Sequence, residues 1–299
     1  MPYLSKVVLT DTVPVRRLTR LLAEMQVTIN AAGLRLFDGD MDRFVIFSLV
    51  VREGLSPRGD ARPISAHSLS ISLNRSFETV RRHVNALIDA GYCVRVRGGV
   101  TAAPGLIDRP DVDAVVKLSN DAFVRFVEDF ADKDAAAPAP EPLPPYHISV
   151  GVSGAVDTLL ATVETNRGLH GDWLDLALFS TTLCANVRRH ACDPQAIGLP
   201  MCERHAVRPS VIARALGLAE TTVRRRVGRL IRPGGSMVRV RSGLMVSQEF
   251  LKTSTAAATT AATLEHVRRE IRKAVARGFP IDAPSRAYAV GRPAETPFA

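Results

Sequence analysis

A cluster of guanidinium side chains occurs twice in this chain at one spacing. Thr79-Val80-Arg81-Arg82-His83-Val84-Asn85-Ala86-Leu87-Ile88 returns as Thr222-Val223-Arg224-Arg225-Arg226-Val227-Gly228-Arg229-Leu230-Ile231. The planar fork of arginine can grip two oxygens of a phosphate, or N7 and O6 of a guanine, in one contact. In the first segment Val80, Val84 and Leu87 fall at i, i+4 and i+7. In the second, Val223, Val227, Leu230 and Ile231 do the same. A helix with that pattern buries one stripe and turns its arginines to solvent. Arg75, Glu78, Arg81, Arg82 and Asn85 are then outward in the first segment, with Ser76 as N-cap and Thr79 and His83 beside the stripe. In the second, Thr221, Arg224, Arg225 and Arg229 are outward, with Thr222 and Arg226 at the margins. Each segment ends in a glycine turn, Gly91 or Pro233-Gly234-Gly235, and a short alternating basic strand follows. These strands add Arg95, Arg97, Arg239 and Arg241 as groups able to hold a phosphate backbone or enter a minor groove.

Other elements must position these segments. Residues 64–73 read as a support helix ending at the turn Asn74-Arg75, and Val211, Ile212 and Leu216 mark its counterpart, ending at Gly217. The correspondence extends upstream: Gly39-Asp40 followed by Phe47-Ser48 matches Gly171-Asp172 followed by Phe179-Ser180. Short helical patterns at 15–25 and 156–163 precede both points, and longer ones cover 111–130 and 260–277. Residues 131–145 form an Ala/Pro-rich linker of extended, semi-rigid chain. The expected organisation is a first unit over 1–130, the linker, a second unit over 146–280 and a tail over 281–299. The expected fold class is mainly α with small β-wings, a tandem pseudo-repeat with flanking helices.

The charge distribution agrees with that division. The 299 residues carry a formal net charge of +9, with a pI near 9.9. Between Arg204 and Arg241 there are ten arginines and one acid, Glu220, and from Arg62 to Arg97 six arginines against Glu78 and Asp89. Both basic stretches coincide with the repeated segments, which favours a polyanionic partner. The chain is 46% hydrophobic and 23% charged, enough for folded cores. Four cysteines, unevenly placed, do not make a disulfide scaffold. No signal-peptide pattern or membrane-length apolar run is present, so a cytoplasmic location is the default expectation and no membrane partner is expected.

The pattern Thr-Val-Arg-Arg-x-Val-x-x-Leu-Ile, then glycine, then a basic strand, resembles the winged helix-turn-helix domains of bacterial transcription regulators of the MarR and GntR type. The resemblance covers 64–100 and 207–246, about a quarter of the chain. It implies that 76–88 and 219–231 are DNA-reading helices and that double-stranded DNA is the partner. That family pattern has one such domain per chain and pairs chains in trans, whereas this chain carries two. Tandem winged domains also resemble plasmid-type replication initiators, and winged helices serve as protein-interaction scaffolds too. Self-association through the flanking helices and a small-molecule effector both remain open.

Other chemistry is weaker. His190, Cys192, Cys202 and His205 could hold zinc, although no ordinary finger has this spacing. His67, His83, His147, His170 and His266 are scattered without a nucleophile or carboxylate pattern, and Gly151-Val152-Ser153-Gly154 lacks a Walker lysine. No enzyme activity and no cofactor is expected. Trp173 and Phe179 could line an effector pocket or simply pack in a core.

Overall fold

In the computed structural model, residues 12–55, 62–130, 144–191 and 200–298 are described. The linker over 131–143 and Cys192 lie outside the described residues. The fold is mainly helical with two small antiparallel hairpins.

Helix α1 (Thr12–Leu36) runs well past the expected 15–25. Leu21, Leu22, Met25, Val27, Ile29 and Leu34 are all buried, so the helix is covered on several sides and has no single apolar stripe to read. Asp38 and Gly39 then take left-handed conformations and turn the chain into α2 (Met41–Gly54). Helices α3 (Ala66–Leu73) and α4 (Phe77–Asp89) meet at Asn74, whose φ of 49° makes it a left-handed cap. Strands β1 (Cys93–Val96) and β2 (Gly99–Ala102) form the first hairpin, and α5 (Pro110–Phe130) follows.

The same order returns. Helices α6 (Ile148–His170) and α7 (Trp173–Ala191) precede α8 (Pro209–Leu216) and α9 (Glu220–Leu230). Gly217, at φ 68°, makes the α8–α9 turn where Asn74 makes the first. Strands β3 (Met237–Val240) and β4 (Gly243–Val246) form the second hairpin, and the short α10 (Gln248–Leu251) leads into α11 (Ser254–Ala276).

One buried hydrophobic cluster draws on both halves. Helix α1 packs on α5 and α7, α2 on α6, and α5 on α6. Gly154 and Gly151 let α6 approach α5 closely: a Cβ at either would overlap Phe123 or Asn120. That accounts for the glycine pair in packing terms. The contacts between halves are reciprocal. Arg75, in the turn before α4, lies 4.0 Å from Asp172 at the entry to α7. Leu218, at the matching position before α9, packs against Gly39 at the entry to α2. Arg35 of α1 also donates to the Ala215 carbonyl at the end of α8, at 3.0 Å. Each of these contacts joins the end of a support helix, or the turn after it, in one half to a residue of the other half.

The hairpins start one residue earlier than the sequence pattern places them, so Arg97 and Arg241 stand in the two-residue loops. The residue two positions before each support helix bridges to the second strand, Ile64 to Val100 and Val207 to Leu244. Gly99 and Gly243 begin those strands at φ 154° and 148°, and a Cβ on either would meet the Ile64 or Val207 carbonyl. Only glycine fits both the dihedral and the approach. The segment after α11 is held along α5: the Asp121 carboxylate accepts from the N–H groups of Ala289, Val290 and Gly291 at 2.6, 2.9 and 3.1 Å. Among the described residues no helix is long and apolar enough to cross a membrane.

Candidate nucleic-acid interface

Helix α4 is seated by Val80, Val84 and Leu87, none more than 2% exposed. Burial at that level contributes roughly 1.5–3 kcal/mol per side chain, which fixes the rotation of the helix about its axis. Val223, Val227 and Leu230 seat α9 in the same way. The rotation leaves Arg81 and Arg82 exposed on α4, and Arg224, Arg225 and Arg229 exposed on α9. Ser76 caps α4 as the sequence suggests, accepting from the Thr79 N–H at 3.2 Å, and its hydroxyl also bonds that of Thr79. At α9 the cap position is Ala219, which provides no side-chain acceptor, so Thr221 and Thr222 stand in an uncapped first turn.

Apart from Arg95, and from Arg229 at 3.9 Å from Asp175, the arginines divide into three groups. Arg81 is held bidentate by Glu78, at 2.9 and 2.7 Å, and two nitrogens of Arg224 share one oxygen of Glu220, at 2.8 and 2.6 Å. Both pairs are exposed, so each holds its arginine only weakly. Arg95 of the first hairpin donates to the side-chain Oδ1 of Asn85 at 2.8 Å, tying the strand to the helix and engaging Asn85. Arg82, Arg97, Arg225, Arg239 and Arg241 are exposed and make no ion pair with any described residue.

Arg75 and Arg226 form the third group and are turned inward. Arg75 donates to Asp42 at 2.8 Å. Arg226 donates to Asp172, and to Asp175 at 3.2 Å. The Asp172 carboxylate also caps α7, accepting from the Asp175 N–H at 2.9 Å. Asp40 is its counterpart: it caps α2 through the Arg43 N–H at 2.9 Å and pairs with His83 Nδ1 at 3.2 Å. In both halves, therefore, one carboxylate ties the start of the second helix to the flank of the exposed arginine helix. The Gly-Asp match is the sequence signal for this clamp, although the sequence alone assigns it no role. Burial acts to raise the pKa of Asp172, but the Asp175 N–H, Arg226 and Arg75 outweigh it and hold the carboxyl below its ordinary range. Asp40 is lowered in the same way, with His83 and the Arg43 N–H outweighing burial. Asp175 goes the other way, raised by burial and by the neighbouring Asp172 charge.

The two faces differ in character. The first unit exposes Ile71 and Phe77, 64% and 52% accessible, where the second has Arg214 and Glu220.

Of the residues considered for zinc, His190, Cys202 and His205 are described. His190 and His205 stack edge to face with ring centroids 4.9 Å apart, and His205 Nδ1 accepts from the Cys202 N–H at 2.9 Å. Among the described residues no group of three or more His, Cys, Asp or Glu could hold a metal ion, and Cys192 lies outside them.

The mainly helical fold with two small antiparallel hairpins is compatible with a winged-helix-like arrangement. Compared with protein-family models, with curated proteins and with solved structures, the chain matches none.

Proposed function

We propose that this chain is a DNA-binding transcription regulator that presents two winged helix-turn-helix motifs from one pseudo-symmetric body, without catalytic chemistry of its own. The observation that carries the reading is the pairing of two helix-turn-helix-hairpin units whose exposed faces bear Arg81, Arg82 and Arg97 in one case, and Arg224, Arg225, Arg229, Arg239 and Arg241 in the other. On this reading α4 and α9 enter successive major grooves and the hairpin arginines hold the backbone beside them. The second unit supplies most of the phosphate affinity. The first reads more by shape and apolar contact, with Phe77 placed to meet a thymine methyl. Reciprocal contacts between the halves favour inverted half-sites about one helical turn (~34 Å) apart. A replication initiator acting on direct repeats fits that relation less well.

The test is selection of bound duplexes from random DNA by the purified chain, followed by salt titration of the enriched site. An inverted pair of elements is expected. Arg225→Ala should weaken binding and reduce the slope of log affinity against log salt by about 0.9. Direct repeats would favour the initiator. No enrichment, with salt-insensitive or absent binding, would refute the proposal and favour a protein-interaction scaffold.

A further inference from the structure

A cleft between α1, α6, α7, α10 and α11 is separate from the arginine faces. Leu22, Leu176, Phe179 and Phe250 are among its apolar walls, and among the described residues no Asp, Glu, Lys or Arg lines it. His170, the last residue of α6, is only 4% exposed and forms part of the wall. Its ring lies 4.4 Å from that of Phe179 and 6.1 Å from that of Phe250, centroid to centroid. Neither ring nitrogen has a hydrogen-bond partner among the described residues. A buried polar group left unmet costs roughly 1–3 kcal/mol, and a neutral imidazole has both a donor and an acceptor to satisfy. Burial pushes the His170 pKa down to about 4, so the ring is neutral at pH 7.

We propose that this cleft binds a small uncharged molecule with one aromatic ring and a hydroxyl or amide group that hydrogen-bonds His170. A charged ligand would lose its hydration and meet no counter-charge among the lining residues. The cavity volume of 70 Å3 is several times the roughly 10–15 Å3 that holds one water and about half that of an engineered cavity that binds benzene (~150 Å3), so a single ring would fill it and reach into its open mouth. Phe179 and Phe250 offer faces and edges to stack against it. The polar side of the cleft is already organised: Gln26 accepts from the Ser180 hydroxyl at 2.5 Å, and Asn166 donates to the Thr162 carbonyl at 2.8 Å.

The site adjoins the clamp described above. His170 is followed by Gly171 and then Asp172, whose N–H donates to the His170 carbonyl at 2.7 Å. Asp172 holds Arg226 on α9 and stands beside Arg75 before α4. A ligand that shifts His170 therefore acts on the carboxylate next to both exposed helices. The consequence for DNA rests on the function proposed above, whereas the binding itself does not.

The test is a titration of the full chain with phenol at pH 7, followed through the imidazole nitrogen resonances of His170, with benzoate and benzylammonium as charged counterparts. Phenol is expected to saturate and to shift both ring nitrogens. Its affinity, measured by calorimetry so that the variant without the imidazole can be read as well, should fall at least tenfold in His170→Phe and in Ala256→Leu, which fills the cleft from α11. Both charged probes should bind at least tenfold more weakly than phenol. The proposal is overturned if phenol leaves the His170 resonances unmoved, if both folded variants bind it as the parent does, or if benzoate matches it. In a parallel arm, phenol should change the affinity for the selected duplex in the parent and not in His170→Phe. A chain that binds no DNA would refute the regulatory reading and leave the titration result standing.

Discussion

Arg225 and Arg226 are adjacent on one helix, yet the structure leaves the first exposed and pairs the second, and substituting each alone separates the two. Arg226→Met keeps the aliphatic stem and removes the charge, leaving Asp172 and Asp175 facing each other without their shared cation. Removing one partner of a fully buried pair costs ~3–5 kcal/mol. Here Arg226 keeps 21% and Asp172 16% of side-chain exposure, so solvent screens part of the loss and about 2 kcal/mol is expected. Urea unfolding at pH 7 measures it. Asp172→Asn preserves an acceptor for the α7 cap. In the double variant with Arg226→Met the losses should therefore sum to about 1 kcal/mol less than the two singles together. Arg225→Ala, by contrast, touches no described partner and should change stability by under about 0.5 kcal/mol while weakening DNA binding. If Arg226→Met behaves like a surface substitution, within about 0.5 kcal/mol of the parent, the clamp is not what holds α9 and the reasoning fails.

Further outcomes follow from the same structure. Gly243→Ala places a methyl against the Val207 carbonyl at a left-handed φ and should destabilise the chain by about 2 kcal/mol, seen as a lowered melting temperature; an unchanged melt would remove the bridge from the account of the hairpin. His170 is protonated near pH 6.5 when unfolded but only near pH 4 when folded, so its contribution is intact above pH 6.5 and is lost as pH falls from there toward 4. The stability difference between pH 7 and pH 5 should accordingly shrink by about 2 kcal/mol in His170→Phe, and an identical pH slope in the two proteins would contradict the burial argument. Burial pushes the thiols of Cys93 and Cys184 up to about 11 and about 12, so peptide mapping after alkylation at pH 8 should find both unmodified in the folded chain and modified in urea.

Local physics made part of this molecule legible. The stripes Val80–Val84–Leu87 and Val223–Val227–Leu230 face a single side, so periodicity alone places α4 and α9 and exposes their arginines. Ser76 as cap, Gly217 as turn and α5 over Pro110–Phe130 follow from equally local signals. Helix α1 was legible only over its first part, because a helix buried on several sides loses its period. The inward turn of Arg75 and Arg226 was not legible at all. Their partners include Asp42, 33 residues away, and Asp172, 54 residues away, and no spacing rule within a helix reports such contacts. His170 likewise reads as one of several scattered histidines until α7 and α10 bring Phe179 and Phe250 to it.

The seating of α1 against α7 bears on how the chain is made. Gln26 waits for Ser180, and Arg35 for Ala215, so a nascent chain synthesised through α5 still exposes much of the α1 surface that α7 and α8 cover. At ~5–20 residues per second the ribosome needs several seconds more to deliver those helices. During that interval the apolar surface of α1 is open to chaperones, to a neighbouring nascent chain on the same message, or to the α7 of another copy. Exchange of α1 between copies would satisfy the same contacts, so pausing within the 131–145 stretch is a point at which translation speed would decide between a self-contained molecule and an interlocked pair.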